Sequence, residues 1–142
     1  MVQPNHAAAH RLLAVEDDAD CSELIVRIAV KCGYVAMAAA DATEMVAAIG
    51  NWRPHVITLD LCLPHVDGIE VISAIKEAGF AGPVIIVSGQ PDWIREFTSK
   101  AAAECGLSVP AHMSKPVDLR LLRELLTGIL GSLRALSSTG AR

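Results

Sequence analysis

Asp60 follows the apolar run Val56-Ile57-Thr58-Leu59, and three other apolar runs end in groups that complement it. Leu12-Leu13-Ala14-Val15 is followed by Glu16-Asp17-Asp18. Val84-Ile85-Ile86-Val87 is followed by Ser88, and Val109-Pro110-Ala111-His112-Met113-Ser114 by Lys115-Pro116. A carboxylate can accept a phosphoryl group as an acyl phosphate. Donor and acceptor are both anionic, so the transfer needs positive charge beside it. Mg2+ takes oxygen ligands, commonly one or two carboxylates plus waters. Asp17 and Asp60 can supply them, with Glu16 acting directly or through water. Lys115 offers an ammonium to the phosphoryl oxygens, and Ser88 a hydroxyl donor. Taken singly, a strand-end Asp is usually a cap or turn residue, a Ser satisfies backbone and a Lys-Pro is a surface turn. The four together, in this order, outweigh those bland readings.

The elements that position these groups follow from periodicity. Short apolar runs separated by helix-like stretches read as buried parallel strands. In an open parallel sheet, functional groups gather beyond the carboxyl ends of the strands. The pattern predicts strands at 11–15, 34–38, 55–60, 83–88 and 109–113. Helices are expected at 19–32 and 42–51, from Asp67-Gly68 to near Gly79, from near Pro91 to about Cys105, and at 118–134. Asp18 or Asp20 caps the first helix and Gly33 ends it. Asp41 and Glu44 have capping-box spacing, Asp118 caps the last helix, and Gly82-Pro83 marks a turn. Five β-α units with short connections make a doubly wound α/β fold, a five-stranded parallel sheet with helices on both faces. One domain is expected over 11–134, with flexible tails at 1–10 and 135–142.

At 142 residues the chain is long enough for one real core. The net charge of −4 gives no general reason to bind nucleic acid or an anionic membrane. No apolar run reaches the length of a membrane-crossing helix, and the first ten residues lack the pattern of a secretory signal. Met1 and the polar end after Leu136 read as a chain not cut from a longer one. Cys21, Cys32, Cys62 and Cys105 show neither metal-ligand spacing nor a disulfide framework, so reduced thiols in the cytoplasm are expected. His6 and His10 have the spacing of a helical metal clip, but a tail is the simpler reading. Glu16, Asp17, Asp18, Asp20 and Glu23 crowd into one stretch, which repels itself unless a cation or a helix N-terminus relieves it.

Over about 11–134 the chain resembles a receiver domain of a two-component response regulator. The pieces that carry the likeness are Leu12 to Asp18, the D-x-x-L-P-x-x-D-G run from Asp60 to Gly68, Val84 to Gly89, and Lys115-Pro116. The resemblance implies a flavodoxin-like (βα)5 fold with strand order 2-1-3-4-5. It implies Asp60 as phosphoacceptor and Glu16 and Asp17 as the acidic pair. Mg2+ would be held by Asp17, Asp60 and the backbone carbonyl of Cys62, with Glu16 beside them. It further implies Ser88 as the switch hydroxyl, Lys115 as the phosphate-facing lysine and a cis bond between Lys115 and Pro116. The partners implied are a histidine kinase or histidine phosphotransfer protein upstream and an unidentified protein downstream. The chain would be a stand-alone signalling switch in a phosphorelay, not an enzyme beyond its own Mg2+-dependent phosphorylation and dephosphorylation.

Two positions depart from the family pattern. His112 stands where the family often has Tyr or Phe, so imidazole would be the switch group or a plain surface residue. The stretch from Ser88 to Lys115 is several residues longer than a minimal receiver's, which lengthens the fourth helix or its exit. Gly89 leaves the site open, and the Cys62 thiol is neither acid nor amide, so a moderately long-lived phosphorylated form is expected. Trp93 and Phe97 share a face of helix four, and Leu119, Leu121, Leu122, Leu125, Leu126, Ile129, Leu130 and Leu133 cover much of helix five. Both faces read first as core. The alternative is a contact surface for a partner or for a homodimer. Two other functions compete: a phosphate-independent pseudo-receiver serving as a binding or dimerisation module, and a Mg2+-dependent hydrolase with an aspartyl nucleophile. The intact site opposes the first. Cys62, where such hydrolases usually carry a second acid, opposes the second.

Overall fold

Runs rich in aliphatic residues can be buried on both faces, and five strands form one sheet whose central three are the most buried. In the computed structural model, which describes residues 9–138, these are β1 (Arg11–Val15), β2 (Val35–Ala39), β3 (Val56–Leu59), β4 (Pro83–Ser88) and β5 (Ser108–Ser114). All pairs are parallel, and the order is β2-β1-β3-β4-β5, as expected. The connecting helices are α1 (Ala19–Cys32), α2 (Ala42–Asn51), α3 (Gly68–Glu77), α4 (Asp92–Glu104) and α5 (Leu119–Ser138).

Alternate strand residues feed two separate cores. Leu13, Val15, Ile57, Leu59, Val84 and Ile86 pack with Met45 and Ile49 of α2, with Val71, Ile72 and Ile75 of α3, and with Ala102 of α4. Leu12, Ala14, Val56, Ile85, Val87 and Met113 pack with Ile25, Ile28 and Ala29 of α1 and with Leu122, Leu126 and Leu130 of α5. This alternation is the period-2 consequence of strand geometry.

The caps fix where each helix begins. Asp18, not Asp20, caps α1, accepting from the backbone N–H groups of Asp20 and Cys21. Gly33 ends α1 at φ 113, a left-handed conformation that costs glycine least. Asp67 and Glu70 form a full capping box on α3. On α2 only half of the expected box forms, because the Glu44 carboxylate accepts from Ala40 N–H rather than from Asp41. Asp118 accepts from Leu121 N–H at the head of α5.

Three expectations need correction. His10 belongs to the fold, not to a tail: its ring is buried and lies edge-on to His55, with centroids 4.8 Å apart, and its carbonyl accepts from Val35 N–H. Burial of that ring outweighs the freedom of a terminus. Helix α5 continues past residue 134 to Ser138. Trp93 and Phe97 are not core, being 70% and 61% exposed. Helix α4 turns Arg95, Thr98 and Ala102 inward instead, and that leaves the aromatic face in solvent. His6 lies outside the described residues. After Ser88 the chain runs through α4 and turns at Gly106, which has φ 91, before β5.

At the opposite end of the sheet from Asp60, long-range bonds close the fold. Arg11 N–H donates to His55 Nδ1 at 3.0 Å, and the Arg11 guanidinium donates to the carbonyls of Trp52 and Arg53. A Cβ on Gly82 would lie 2.2 Å from the His55 carbonyl oxygen, so only glycine fits there.

Candidate functional site: an acidic pocket at the sheet's carboxyl edge

Between β1 and β3 the chain order reverses, and the residues just after these two strands face one crevice. Glu16 and Asp17 follow β1, and Asp60 follows β3. Glu16 and Asp60 are each only 3% exposed, whereas Asp17 faces solvent. Ligand oxygens of the three carboxylates all lie within 4.8 Å of one another.

Three buried or half-buried charges meet there. Lys115 Nζ donates to Asp60 Oδ2 at 3.1 Å and forms an ion pair with Glu16 Oε1 at 2.6 Å. Asp60 Oδ1 accepts from Cys62 N–H at 3.0 Å, and Glu16 Oε2 accepts from Asp18 N–H at 3.1 Å. Burial holds the Glu16 carboxyl above its ordinary value, against the pull of Lys115. For Lys115, burial alone acts downward, but bonding to Glu16 and Asp60 outweighs it and raises the ammonium above its usual range. The cation is therefore fixed in its charged form. Burial and the Glu16 carboxylate push the Cys21 thiol up to about 11, so it stays neutral beside the pocket.

Lys115 comes from the end of β5, where its N–H donates to the Ser88 carbonyl and its peptide bond to Pro116 is cis. Ser88 is fully buried at the end of β4, and its Oγ accepts from Gln90 N–H at 3.2 Å and lies 4.0 Å from Cys62 Sγ. Nothing lies within 4 Å of where a Gly89 Cβ would stand, which leaves that side open. His112 is not in the pocket. It pairs in register with Ile86 on the α4 side of the sheet, and its Nδ1 is buried without a hydrogen-bond partner among the described residues.

Oxygen donors in this number fit Mg2+, which prefers carboxylates and water over nitrogen or sulfur. The uneven burial fits it too: the sheltered Glu16 and Asp60 carboxylates would hold the ion, and exposed Asp17 would leave room for waters. The pocket can thus concentrate positive charge around one buried carboxylate.

Comparison with known proteins agrees with this geometry. Residues 12–127 match the family model of the response regulator receiver domain. The chain belongs to that family. Receivers are signalling switches of two-component systems, not classical enzymes; phosphorylation and Mg2+ binding in an acidic pocket are general to them. This receiver is 29% identical over 120 residues to response regulator MprA of Mycobacterium sp. strain KMS, covering 84% of this chain and 50% of that one. It is 39% identical over 83 residues to nitrogen assimilation regulatory protein NtrX of Azorhizobium caulinodans, covering 57% of this chain and 18% of that one. The chain spans at most about half the length of these curated relatives. Among solved structures, a CheY-like receiver domain protein from Methanospirillum hungatei JF-1 superposes with a TM-score of 0.73 at 28% identity. It covers 89% of this receiver and 98% of that chain. A response regulator from Colwellia psychrerythraea gives 0.75 at 27% identity, covering 87% and 98%.

One residue of the site region escapes sequence reasoning. Arg95 is buried in α4 and donates to the Gln90 carbonyl, just after Ser88. The available signal is its helical phase, since 95, 98 and 102 share one face.

Proposed function

We propose that this receiver accepts a phosphoryl group on Asp60 from a histidine kinase or a histidine phosphotransfer protein. The observation that carries the reading is one buried carboxylate, Asp60, held by the Lys115 ammonium at 3.1 Å with two further carboxylates beside it. In the transfer, the P–N bond of a phosphohistidine breaks and a P–O bond to Asp60 forms, while the leaving imidazole takes up a proton. Asp17, Asp60, Glu16 and the Cys62 carbonyl would hold Mg2+, which neutralises charge on the transferring group when bound. Lys115 supplies a preformed cation that needs no reorganisation. Ser88 offers its hydroxyl proton, since its oxygen already accepts from Gln90. Hydrolysis of the acyl phosphate by water returns the free carboxylate.

The output is a change of protein contacts. Exposed Trp93 and Phe97 on α4 and Leu119 and Leu121 on α5 support these helices as the contact face, for an effector or a second copy. All four cysteines are free thiols, which supports a reducing, cytoplasmic setting. The receiver is proposed to stand alone, and the intact mass of the protein isolated from its source tests that point.

The decisive experiment is intact-mass measurement after incubation with acetyl phosphate and Mg2+. The expected result is one added phosphoryl group in the parent and none in Asp60→Asn or without Mg2+. A folded parent that gains nothing would instead assign the fold to phosphate-independent binding.

A further inference from the structure

Helix α4 sits on an unusual bed. Its buried residues are Arg95, Thr98 and Ala102, with Ile94 half-buried against the core, so two of the three buried places that a typical amphipathic helix gives to aliphatic side chains are polar. Arg95 Nε, Ser99 Oγ and, across on β5, His112 Nδ1 are buried without hydrogen-bond partners among the described residues. Burying a guanidinium this way is costly, and its one carboxylate contact, Asp92 at 2.9 Å, is itself mostly in solvent. Cheaper residues would hold α4 against the sheet more firmly.

What Arg95 does hold is the backbone of one residue, Gln90. Its guanidinium donates to the Gln90 carbonyl, and the Gln90 N–H donates to Ser88 Oγ at 3.2 Å. The backbone of Gln90 is therefore held on both sides of its Cα, the carbonyl by α4 and the N–H by the site hydroxyl. Asp92 holds the guanidinium from the first turn of the same helix. Arg95 thus links α4 to the residue whose N–H the Ser88 hydroxyl oxygen accepts.

We propose that Arg95 is a positioning residue that couples α4 to the Ser88 hydroxyl through the backbone of Gln90. The inference rests on the reading of Asp60 as phosphoacceptor. It makes the position of α4 and the aim of the hydroxyl one variable, set by a residue that touches neither phosphoryl group nor metal.

A double-mutant cycle tests it, because a merely structural arginine would act independently of Ser88. The rate of Mg2+-dependent phosphorylation by acetyl phosphate is measured for the parent, Arg95→Met, Ser88→Ala and the double variant. Circular dichroism confirms that each is folded. Arg95→Met is expected to slow the parent by about three- to tenfold, the scale of one net hydrogen bond, and to leave Ser88→Ala unchanged. Arg95→Lys, which keeps the charge but loses the fork, is expected to fall between. Should Arg95→Met fail to fold, Asp92→Asn at the exposed end of the contact takes its place. It is expected to slow the parent slightly and Ser88→Ala not at all. Equal losses in both backgrounds, or no loss in either, overturn the coupling. A parent that takes no phosphoryl group overturns the phosphoacceptor reading instead, so the two failures are distinct.

Discussion

Lys115 is the residue on which the pocket's electrostatics turn. It faces two carboxylates that are almost wholly buried, and its own side chain is 25% exposed. Removing one partner from such a group leaves uncompensated buried charge. Lys115→Met is expected to lower stability by about 3 kcal/mol at neutral pH. Urea unfolding should show the loss, and added Mg2+ should restore part of it by binding the native pocket alone. A loss that Mg2+ leaves untouched would mean the lysine acts mainly through its aliphatic stem. Glu16, Asp60, Ser88 and Lys115 are all legible in the sequence, because each ends an apolar run and strand ends converge in an open sheet. Arg95 is not, because its helical phase is the one local signal and its charge argues against a buried seat. His112 is legible only as a departure, and its place away from the pocket depends on β5 register.

At the scale of elements, turns and caps carry much of the specification. The order of strands and helices can be read from the sequence, since period 2 and period 3.6 alternate cleanly and capping residues stand at most helix starts. What cannot be read is pairing between segments far apart in the chain. The hold of Arg11 on Trp52 and Arg53, and of His10 on His55, depends on β1 meeting the segment before β3. For the same reason His10 reads as tail from sequence and is buried in the fold. Gly82 reports the closeness of that meeting. Gly82→Ala sets a Cβ against the His55 carbonyl at 2.2 Å, and the strand start must move to make room. A loss of about 2–3 kcal/mol is expected, read as a lower thermal midpoint with the acidic pocket still able to take Mg2+. An unchanged midpoint would mean that the 80–83 turn is free to shift.

The molecule as a whole carries two histidines at the end of the sheet farthest from the pocket, and they make its stability depend on pH. Burial, then the positive charges of Arg134 and Arg11, hold His10 below its ordinary 6.5. Burial, then Arg11 and His10, do the same for His55. A folded value below the unfolded one means that the unfolded chain binds more protons in between, so stability rises with pH. The contribution is complete above about 6.5 and is lost as pH falls through the lower folded values. The thermal midpoint should therefore drop between about pH 7.5 and 5.5, and His55→Asn, which keeps an acceptor for Arg11 N–H, should flatten that slope. An equally steep profile in the variant would place the pH dependence elsewhere.

The helices that cover the sheet are not held alike. Helices α1 and α5 close over Ile25, Ile28, Leu122, Leu126 and Leu130, whereas α4 rests on Arg95, Thr98 and Ala102. Hydrocarbon seats resist water, and a polar seat with unpaired atoms does not. In native-state hydrogen exchange, α4 amides should lose their protons well before those of α1 and α5, on the scale of local opening rather than global unfolding. The helix expected to open before α1 and α5 is then the same one that carries Trp93 and Phe97 in solvent. The face proposed for protein contacts is thereby also expected to open before α1 and α5.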